Sequence, residues 1–199
     1  MQEAAGWLAE REPALRRVLD QYGLPPFWNR PPGFASLVYN ILEQQVSLAS
    51  AKAAFDRLNA ALPELSPAAF LALDDDTLLR IGFSRQKRGY CRGLAQAILD
   101  GTLDLQAVHA ADDDTARAAL VRLKGIGAWT ADIYLLLSLL RPDVLPVQDL
   151  GLIGGVRRAW GLSAAPSRAA LLEMAENWRP FRSAATRLAW HCYLSRPAG

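Results

Sequence analysis

The chain is poor in cysteine and has no long apolar run. Its two cysteines, Cys91 and Cys192, are too few for a Cys-rich zinc site or for an iron–sulfur cluster, which takes four thiolates. The longest apolar run, residues 133–140, is far below the roughly 18 residues that a membrane span needs. Residues 1–11 carry charges and lack the apolar core of a signal peptide. We therefore expect free, buried thiols in a soluble, cytoplasmic protein with no membrane partner.

Strand signals and excess charge are also scarce. No stretch alternates apolar and polar residues for long, and Ala and Leu dominate over β-branched residues. The formal net charge is only +2, from 22 Lys and Arg against 20 Asp and Glu, which excludes a histone-like polycation. Helical patterns predict an all-α fold, with helices near residues 3–21, 33–43, 47–61, 66–71, 75–81, 85–100, 113–122, 127–140, 150–160, 167–177 and 180–194.

Two aspartate clusters precede predicted helices. Asp74–Asp76 is followed by Thr77, and Asp112–Asp114 is followed by Thr115. Such a cluster could bind a divalent metal. Its place at a helix start favours capping instead, because carboxylates accept hydrogen bonds from the free N–H groups there and oppose the helix dipole.

Two Pro-rich segments interrupt the helical pattern. Residues 23–33 contain four prolines, and residues 141–148 contain two. Segments of this kind are natural crossings between two lobes. We expect a single domain with two lobes, lobe one over about residues 33–140 and lobe two over about 1–32 plus 141–199.

The most specific motif is the ten-residue stretch Leu123–Asp132, which reads LKGIGAWTAD. It predicts a helix, a tight turn at Gly125 and Gly127, and a second helix. The glycines permit positive φ and a close approach of backbone to a ligand. Their N–H groups and the following helix start, with Thr130 in its first turn, would face one anion, for which a phosphate is the natural occupant. Taken alone, a plain tight turn explains the stretch equally well.

A single carboxylate follows this motif. After a very apolar helix and the second Pro-rich segment, the stretch PVQDLG at residues 146–151 places Asp149 at the start of a new helix. This arrangement resembles the helix–hairpin–helix DNA glycosylase superfamily, in which a Gly/Pro-rich loop after the hairpin ends in the catalytic Asp. Within it, the chain is most similar to the AlkA-type 3-methyladenine DNA glycosylases.

Three further stretches carry the same resemblance. They are residues 34–47, 82–87 and 178–183, the last continuing to Trp190. The five motifs occur in the family's order and cover about residues 8–195. Only some thirty residues precede Gly33, so the resemblance implies the two-lobed helical core without the N-terminal β domain of the best-known members.

The resemblance implies roles for several residues. Asp149 would stabilise the positive charge on the sugar as the base leaves, although capping of its own helix explains it too. Trp129 and Trp190 match aromatic positions of the base pocket, but either could be a core tryptophan. Ile133 and Leu150 stand where related pockets can have tyrosines, which leaves the lesion preference open.

Two more positions bear on the mechanism. Trp129 occupies the place of the lysine with which strand-cleaving members form a Schiff base, so base removal without strand cleavage is expected. Gln45 occupies the wedge position, where a side chain fills the gap left by the flipped base and can bond to the orphaned partner. As an alternative, Gln44 and Gln45 cap the ends of two helices.

Basic residues cluster in two stretches that lack acids. Local basic faces of this kind suit contact with DNA phosphates, and Arg85 and Lys87 in the first stretch are expected to make it. As alternatives, some of the arginines are solvated or pair with the acidic caps, and Arg179 and Arg182 are structural. The first stretch also holds Arg80, Arg88 and Arg92, and the second holds Arg179, Arg182, Arg187 and Arg196.

The resemblance also implies an ion at the hairpin. The backbone carbonyls of Val121, Leu123 and Ile126 match those that share a monovalent cation, Na⁺ or K⁺, with a DNA phosphate. No other cofactor is expected.

The sequence therefore predicts a monomeric, monofunctional glycosylase that removes alkylated purines, such as 3-methyladenine and 7-methylguanine, from double-stranded DNA with damaged bases. The abasic site that it leaves would enter base excision repair. A non-catalytic DNA-binding module is the alternative. Such a module has no use for Asp149, an aromatic pocket or a wedge, so all three features would have to be coincidental. Adenine excision with an iron–sulfur cluster is excluded by the cysteine count, and a helical scaffold leaves the basic stretches unexplained.

Overall fold

The structure is a computed structural model that describes residues 1–195, so Arg196 lies outside the described residues. Every regular element in this range is a helix, which confirms the all-α prediction. Within these residues, none of the helices is long and apolar enough to cross a membrane. The helices are α1 (Gln2–Arg11), α2 (Pro13–Tyr22), α3 (Phe34–Glu43), α4 (Leu48–Ala61), α5 (Pro67–Ala72), α6 (Asp75–Ile81), α7 (Arg85–Leu99), α8 (Leu105–Ala110), α9 (Asp113–Val121), α10 (Ala128–Leu137), α11 (Leu150–Ala159), α12 (Arg168–Glu176) and α13 (Arg182–Leu194).

The helices differ from the prediction in three places. The helix predicted over residues 3–21 is two helices, because Glu12 is extended and Pro13, which lacks an N–H, starts α2. The short α8 was not predicted; Asp104 caps it by accepting from the N–H groups of Gln106 and Ala107. Helix α10 ends at Leu137 instead of residue 140, where Leu140 adopts a positive φ of 54°.

The aspartate clusters cap helices, as predicted. The Asp74 carboxylate accepts a 2.7 Å hydrogen bond from the Thr77 N–H, and that of Asp112 accepts from Asp114 and Thr115. These bonds favour the charged form and lower the pKa of both aspartates. Among the residues that the structure describes, no group of three or more His, Cys, Asp or Glu is arranged to hold a metal ion.

The described chain separates into two compact units. Residues Arg30–Leu139 form the first, called here the hairpin unit, and Met1–Asn29 with the chain from Leu140 onward form the second, called the terminal unit. The sequence placed the corresponding boundaries at Gly33 and Leu140. Each unit buries one of the two cysteines, both of which are free thiols as expected, and burial raises the pKa of each.

The hairpin unit is built around α3. This helix packs against α4, α7 and α10, and Leu37 and Ile41 on it are fully buried. An aromatic row continues the core, with Phe70 edge-on to Phe34 at 5.9 Å and to Phe83 at 5.6 Å. The central position of α3 matters for the site because the helix ends at the loop that carries Gln45.

The terminal unit joins the two ends of the chain. Helices α1 and α2 pack against α13, and α13 makes its most extensive contact with α11. The backbones of α11 and α13 come so close that a Cβ built on Gly155 would lie 2.0 Å from the Ala189 carbonyl oxygen. Only glycine fits at this crossing, which sets the position of Trp190, one residue further along α13.

Replacing Gly155 should therefore destabilise the protein through overpacking. We expect Gly155→Ala to lower the free energy of unfolding by about 3 kcal/mol, which corresponds to a fall in Tm of roughly 6–12 °C for a chain of this size. Gly93→Ala is the matched control, because a Cβ there meets nothing within 4 Å on α7, and it should gain about 0.5–1 kcal/mol. Circular dichroism melting of both variants tests this; equal Tm values would contradict the packing argument.

Candidate functional site

Asp149 is held in one orientation by two donors. It stands at the N-cap of α11, where its Oδ1 accepts a 2.7 Å hydrogen bond from the Leu152 N–H. The same oxygen accepts a second 2.7 Å bond from the indole N–H of Trp190 on α13. The capping role is therefore confirmed. Its geometry also leaves the carboxylate half-buried and fixed in place, as a catalytic carboxylate requires.

An aromatic corner lies beside this carboxylate in the terminal unit. The half-buried ring of Trp190 meets Trp28 with centroids 6.2 Å apart and planes at 71°, and Trp28 also lies edge-on to His191. Trp190 is thus not a plain core residue, because its indole positions Asp149; its place in a base pocket stays a prediction. Sequence analysis missed Trp28, although a tryptophan in a Pro-rich segment without helical periodicity was the available signal.

Three arginines of the terminal unit make structural contacts within it. Arg187, expected on a basic face, is only 4% exposed, and its guanidinium donates to the Trp28 carbonyl. Burial lowers its pKa to about 10. Arg182 and Arg179 both bind Asp143 at 2.8 Å, as the structural alternative predicted. Arg187 anchors the segment that carries Trp28.

The other predicted pocket residues differ in exposure. Trp129, in the first turn of α10, is half-buried, and Ile133 on the same helix is 3% exposed. Leu150, the first residue of α11, is 79% exposed. An apolar side chain this exposed at the carboxylate is available to a ligand, whereas Ile133 offers little surface. The role of these three residues in a base pocket stays a prediction.

The hairpin between α9 and α10 has the predicted turn, with one difference. Gly125 has a φ of +97°, whereas Gly127 has an extended backbone at φ −88°, so only Gly125 uses the positive φ that glycine permits. A Cβ at Gly127 would meet nothing within 4 Å. Helix α10 begins there without a side-chain cap, and the N–H groups of a helix's first turn need outside acceptors. An anion can approach this turn closely.

Two side chains hold the turn from behind. The Gln44 Nε2 donates to the Gly125 carbonyl at 2.8 Å and to the Thr130 Oγ1 at 2.9 Å. On the other side, a Cβ at Gly125 would lie 2.2 Å from the Tyr90 ring. Sequence analysis missed the roles of Gln44 and Tyr90. The sequence also predicted that Thr130 contacts DNA. The Thr130 side chain is 2% exposed and turned inward, so only the backbone of this residue is left for such a contact in the first turn of α10.

Gln45 lies exposed in the loop between α3 and α4. It adopts a φ of 56°, a left-handed conformation that is uncommon for a residue with a side chain and that clusters at functional sites. The capping alternative is only half right. Gln44 is the C-cap of α3, but α4 is capped by Ser47, whose Oγ accepts from the Ser50 N–H. The wedge role of Gln45 stays a prediction.

The basic residues of α7 divide into exposed and internal ones. Arg85 is exposed in the first turn, where it was expected to face DNA. Lys87 was expected there too, but its Nζ donates to the Leu42 carbonyl at 2.7 Å, and burial lowers its pKa. Arg88 and Arg92 bind the α5–α6 region through Asp75 and nearby carbonyls, as the pairing alternative predicted.

The predicted cation ligands lie at the end of α9 and in the turn. One of the three carbonyls, that of Leu123, accepts a 3.0 Å hydrogen bond from the Ile126 N–H. Val121 is 41% exposed, and Ile126 is buried. A carbonyl has a second lone pair, so the internal bond is compatible with an ion, which stays a prediction.

The two hairpin glycines should respond differently to alanine. Gly125→Ala forces a side chain into positive φ and into the Tyr90 ring, and we expect it to cost roughly 3 kcal/mol of stability. Gly127→Ala meets open space and should cost no more than about 1 kcal/mol, from the weaker N-cap preference of Ala. Thermal unfolding measures both. If Gly125→Ala loses as little stability as Gly127→Ala, the turn tolerates a Cβ at Gly125.

Comparison with curated proteins identifies relatives. YfjP of Bacillus subtilis is 31% identical over 167 aligned residues, covering 77% of this chain and 58% of that protein. DNA-3-methyladenine glycosylase 1 of Schizosaccharomyces pombe is 28% identical over 163 residues, covering 79% of this chain and 71% of that protein. The chain thus spans little more than half the length of the first relative.

Solved structures share the fold. The S. pombe 3-methyladenine DNA glycosylase in complex with abasic DNA has a TM-score of 0.86 at 24% identity, covering 94% of this chain and 95% of that chain. At this identity the likeness concerns the fold alone. The Bacillus halodurans DNA-3-methyladenine glycosidase has a TM-score of 0.78 at 29% identity, covering 95% and 88%.

The resemblance found in the sequence is confirmed by the family comparison. Residues 38–180 match the profile of the HhH-GPD superfamily base excision DNA repair proteins. This range contains the hairpin, the loop of Gln45 and Asp149. Since the match covers well over half of the chain, the protein belongs to the HhH-GPD superfamily of base excision DNA repair proteins.

Proposed function

We propose that this protein is a monofunctional DNA glycosylase. It acts as a monomer and hydrolyses the N-glycosidic bond of alkylated purines of the 3-methyladenine and 7-methylguanine type in duplex DNA, leaving an abasic site. The observation that carries the proposal is the Asp149 carboxylate held by Trp190 and Leu152. Relatives named as DNA-3-methyladenine glycosylases, and a structural neighbour of 29% identity with such a name, support the substrate class.

The chemistry needs a fixed negative charge. Breaking the bond between base and C1′ gives the sugar oxocarbenium-ion character. A carboxylate beside C1′ stabilises that charge and can orient the attacking water. Because both donors bind Oδ1 of Asp149 at 2.7 Å, the carboxylate need not reorient while the charge develops.

The base must leave the duplex stack before it is excised. Alkylated purines carry positive charge, which the face of an indole ring attracts by about 0.5–2 kcal/mol. Trp129 in the hairpin unit and Trp190 and Trp28 in the terminal unit each offer such a ring, and Leu150 offers an exposed apolar contact. Gln45 would fill the gap that the base leaves and bond to its partner.

The hairpin would hold the DNA backbone. The open approach at Gly127 and the uncapped start of α10 suit a phosphate oxygen. Arg85 would add an exposed charge from α7, and a Na⁺ or K⁺ ion on the carbonyls of Val121, Leu123 and Ile126 would bridge to the phosphate. No catalytic step requires that ion.

Strand cleavage would require a lysine amine at the sugar. The corresponding position is Trp129, and Lys124 precedes the turn on the side away from α10. We therefore propose that the strand stays intact after the base is removed.

Asp149→Asn tests the function directly. We expect it to reduce base release from methylated duplex DNA by about 100-fold or more, as the loss of one transition-state contact does elsewhere, while binding to DNA with an abasic site persists. The assay scores released 3-methyladenine and 7-methylguanine, and strand nicks before and after alkali. Nicks only after alkali indicate a monofunctional enzyme.

Two outcomes of this assay would count against the proposal. Tight binding of damaged DNA with no base released by the wild type would identify a non-catalytic binding module. Nicking before alkali would contradict the monofunctional mechanism and leave the glycosylase assignment in place.

Trp190→Phe tests how Asp149 is held. Phenylalanine keeps an aromatic ring but loses the indole donor, and a hydrogen bond to a charged group contributes about 1.5–3 kcal/mol. We expect kcat to fall by roughly 10- to 100-fold with unchanged affinity for abasic-site DNA. Trp160→Phe is the control, because Trp160 packs on Trp178 at the far end of α11. A loss of affinity without a loss of kcat would show that Trp190 only lines the pocket.

A further inference from the structure

The side chain of Gln44 joins two parts of the hairpin unit that are far apart in sequence. Its backbone ends α3 as the C-cap. Its amide nitrogen, Nε2, reaches across to the hairpin, where it donates to the Gly125 carbonyl and to the Thr130 hydroxyl. The two acceptors lie on either side of Gly127, where the turn is open to an anion. The amide group of Gln44 thus connects the end of α3 both to the hairpin turn and to the beginning of α10.

The next residue along the chain is Gln45, which is exposed at a φ of 56°. A left-handed conformation at a residue with a side chain costs free energy and persists only where its surroundings impose it. Two tethers act on the preceding residues: Gln44 holds the hairpin, and Lys87 donates to the carbonyl of Leu42 in the last turn of α3. The end of α3 therefore cannot relax toward a less strained loop.

The hairpin side of the connection is equally constrained. The Tyr90 ring fills the space behind Gly125, and Thr130 is buried under the start of α10. The turn thus has little room to move on this side, and its remaining side-chain contact is with Gln44. The anion-facing turn and the strained loop form one assembly with Gln44 as its link.

We propose that Gln44 is a positioning residue that couples the hairpin's hold on a DNA phosphate to the insertion of Gln45 into the duplex. This inference rests on the proposed function, because insertion is needed only to replace a flipped base. Gln44 itself need not touch the DNA. Its effect is to hold the Gln45 side chain out from the protein surface whenever the hairpin binds a phosphate.

The link requires a hydrogen-bond donor at the end of the Gln44 side chain. Gly125 offers a carbonyl, which can only accept, so the partner must donate. Gln44→Met keeps the length of the side chain but supplies no donor, and Gln44→Glu would place a carboxylate against that carbonyl. Thr130→Val removes one of the two acceptors and keeps the shape of the buried side chain, so it should give part of the same effect.

A double-mutant cycle tests the coupling without requiring catalysis. Affinities of the wild type, Gln44→Met, Gln45→Ala and the double variant are measured for a duplex with an abasic site and for the intact duplex. We expect Gln44→Met to reduce the preference for abasic DNA by about 10-fold in the wild type, and by less than about 2-fold when Gln45 is already alanine. Thermal unfolding of each variant checks that it is folded, and Thr130→Val provides a second, milder variant.

Gln86→Ala is the matched control. Gln86 donates to the hydroxyl of Tyr90, whose ring lies behind the same turn. A general loosening of the hairpin should weaken binding to both duplexes alike, with the preference for abasic DNA unchanged. This is the readout that a purely structural role of Gln44 would also give.

Each result decides the inference. Equal effects of Gln44→Met in the two backgrounds would overturn the coupling, and so would a Gln45→Ala variant that keeps the full preference, because no insertion would then be coupled. Strong non-additivity together with a wild type that releases no methylated base would uphold the coupling and overturn the glycosylase proposal.

Discussion

The terminal unit depends on how closely α11 and α13 approach each other. At Gly155 the two backbones are in contact, and no side chain fits between them. Because α13 lies this close, the indole of Trp190 reaches Asp149 at the start of α11. The same arrangement brings Trp28 against Trp190 and buries Arg187 beneath the segment that carries Trp28. The orientation of one carboxylate thus follows from a contact more than one helical turn away.

Much of the protein's positive charge is used internally. Lys87 binds a helix-end carbonyl, Arg92 binds the carbonyls of Leu71 and Leu73, and Arg182 binds Asp143. The hairpin instead presents backbone N–H groups, and Arg85 is exposed at the start of α7. Backbone donors bind phosphates without regard to base sequence. Contacts of this kind would suit the proposed function, because a lesion can lie in any sequence context.

The sequence predicted features that depend on near neighbours along the chain. Helix caps at Asp74 and Asp112, the turn at Gly125 and the carboxylate at the start of α11 are all set within a few residues. The break at Pro13 was predictable on the same grounds, since proline favours the first position of a helix.

Features that depend on distant packing could not be predicted. Three contacts of this kind join residues between 41 and 86 positions apart: Lys87 with the Leu42 carbonyl, Gln44 with the hairpin, and Trp190 with Asp149. A long side chain on a basic or amide residue looks the same in sequence whether it faces solvent or a carbonyl. Only the packing of α3, α7 and α10, or of α11 and α13, decides between these outcomes.

The split of the terminal unit between the two ends of the chain has a consequence for biosynthesis. Domains fold in the order in which their segments leave the ribosome, and the hairpin unit, Arg30–Leu139, is contiguous in sequence. The terminal unit needs α13, which is made after all other helices of the described chain. Until then α1 and α2 lack their partner, and Asp149 lacks the indole that orients it. During synthesis the nascent chain would carry a formed hairpin before it acquires an ordered carboxylate.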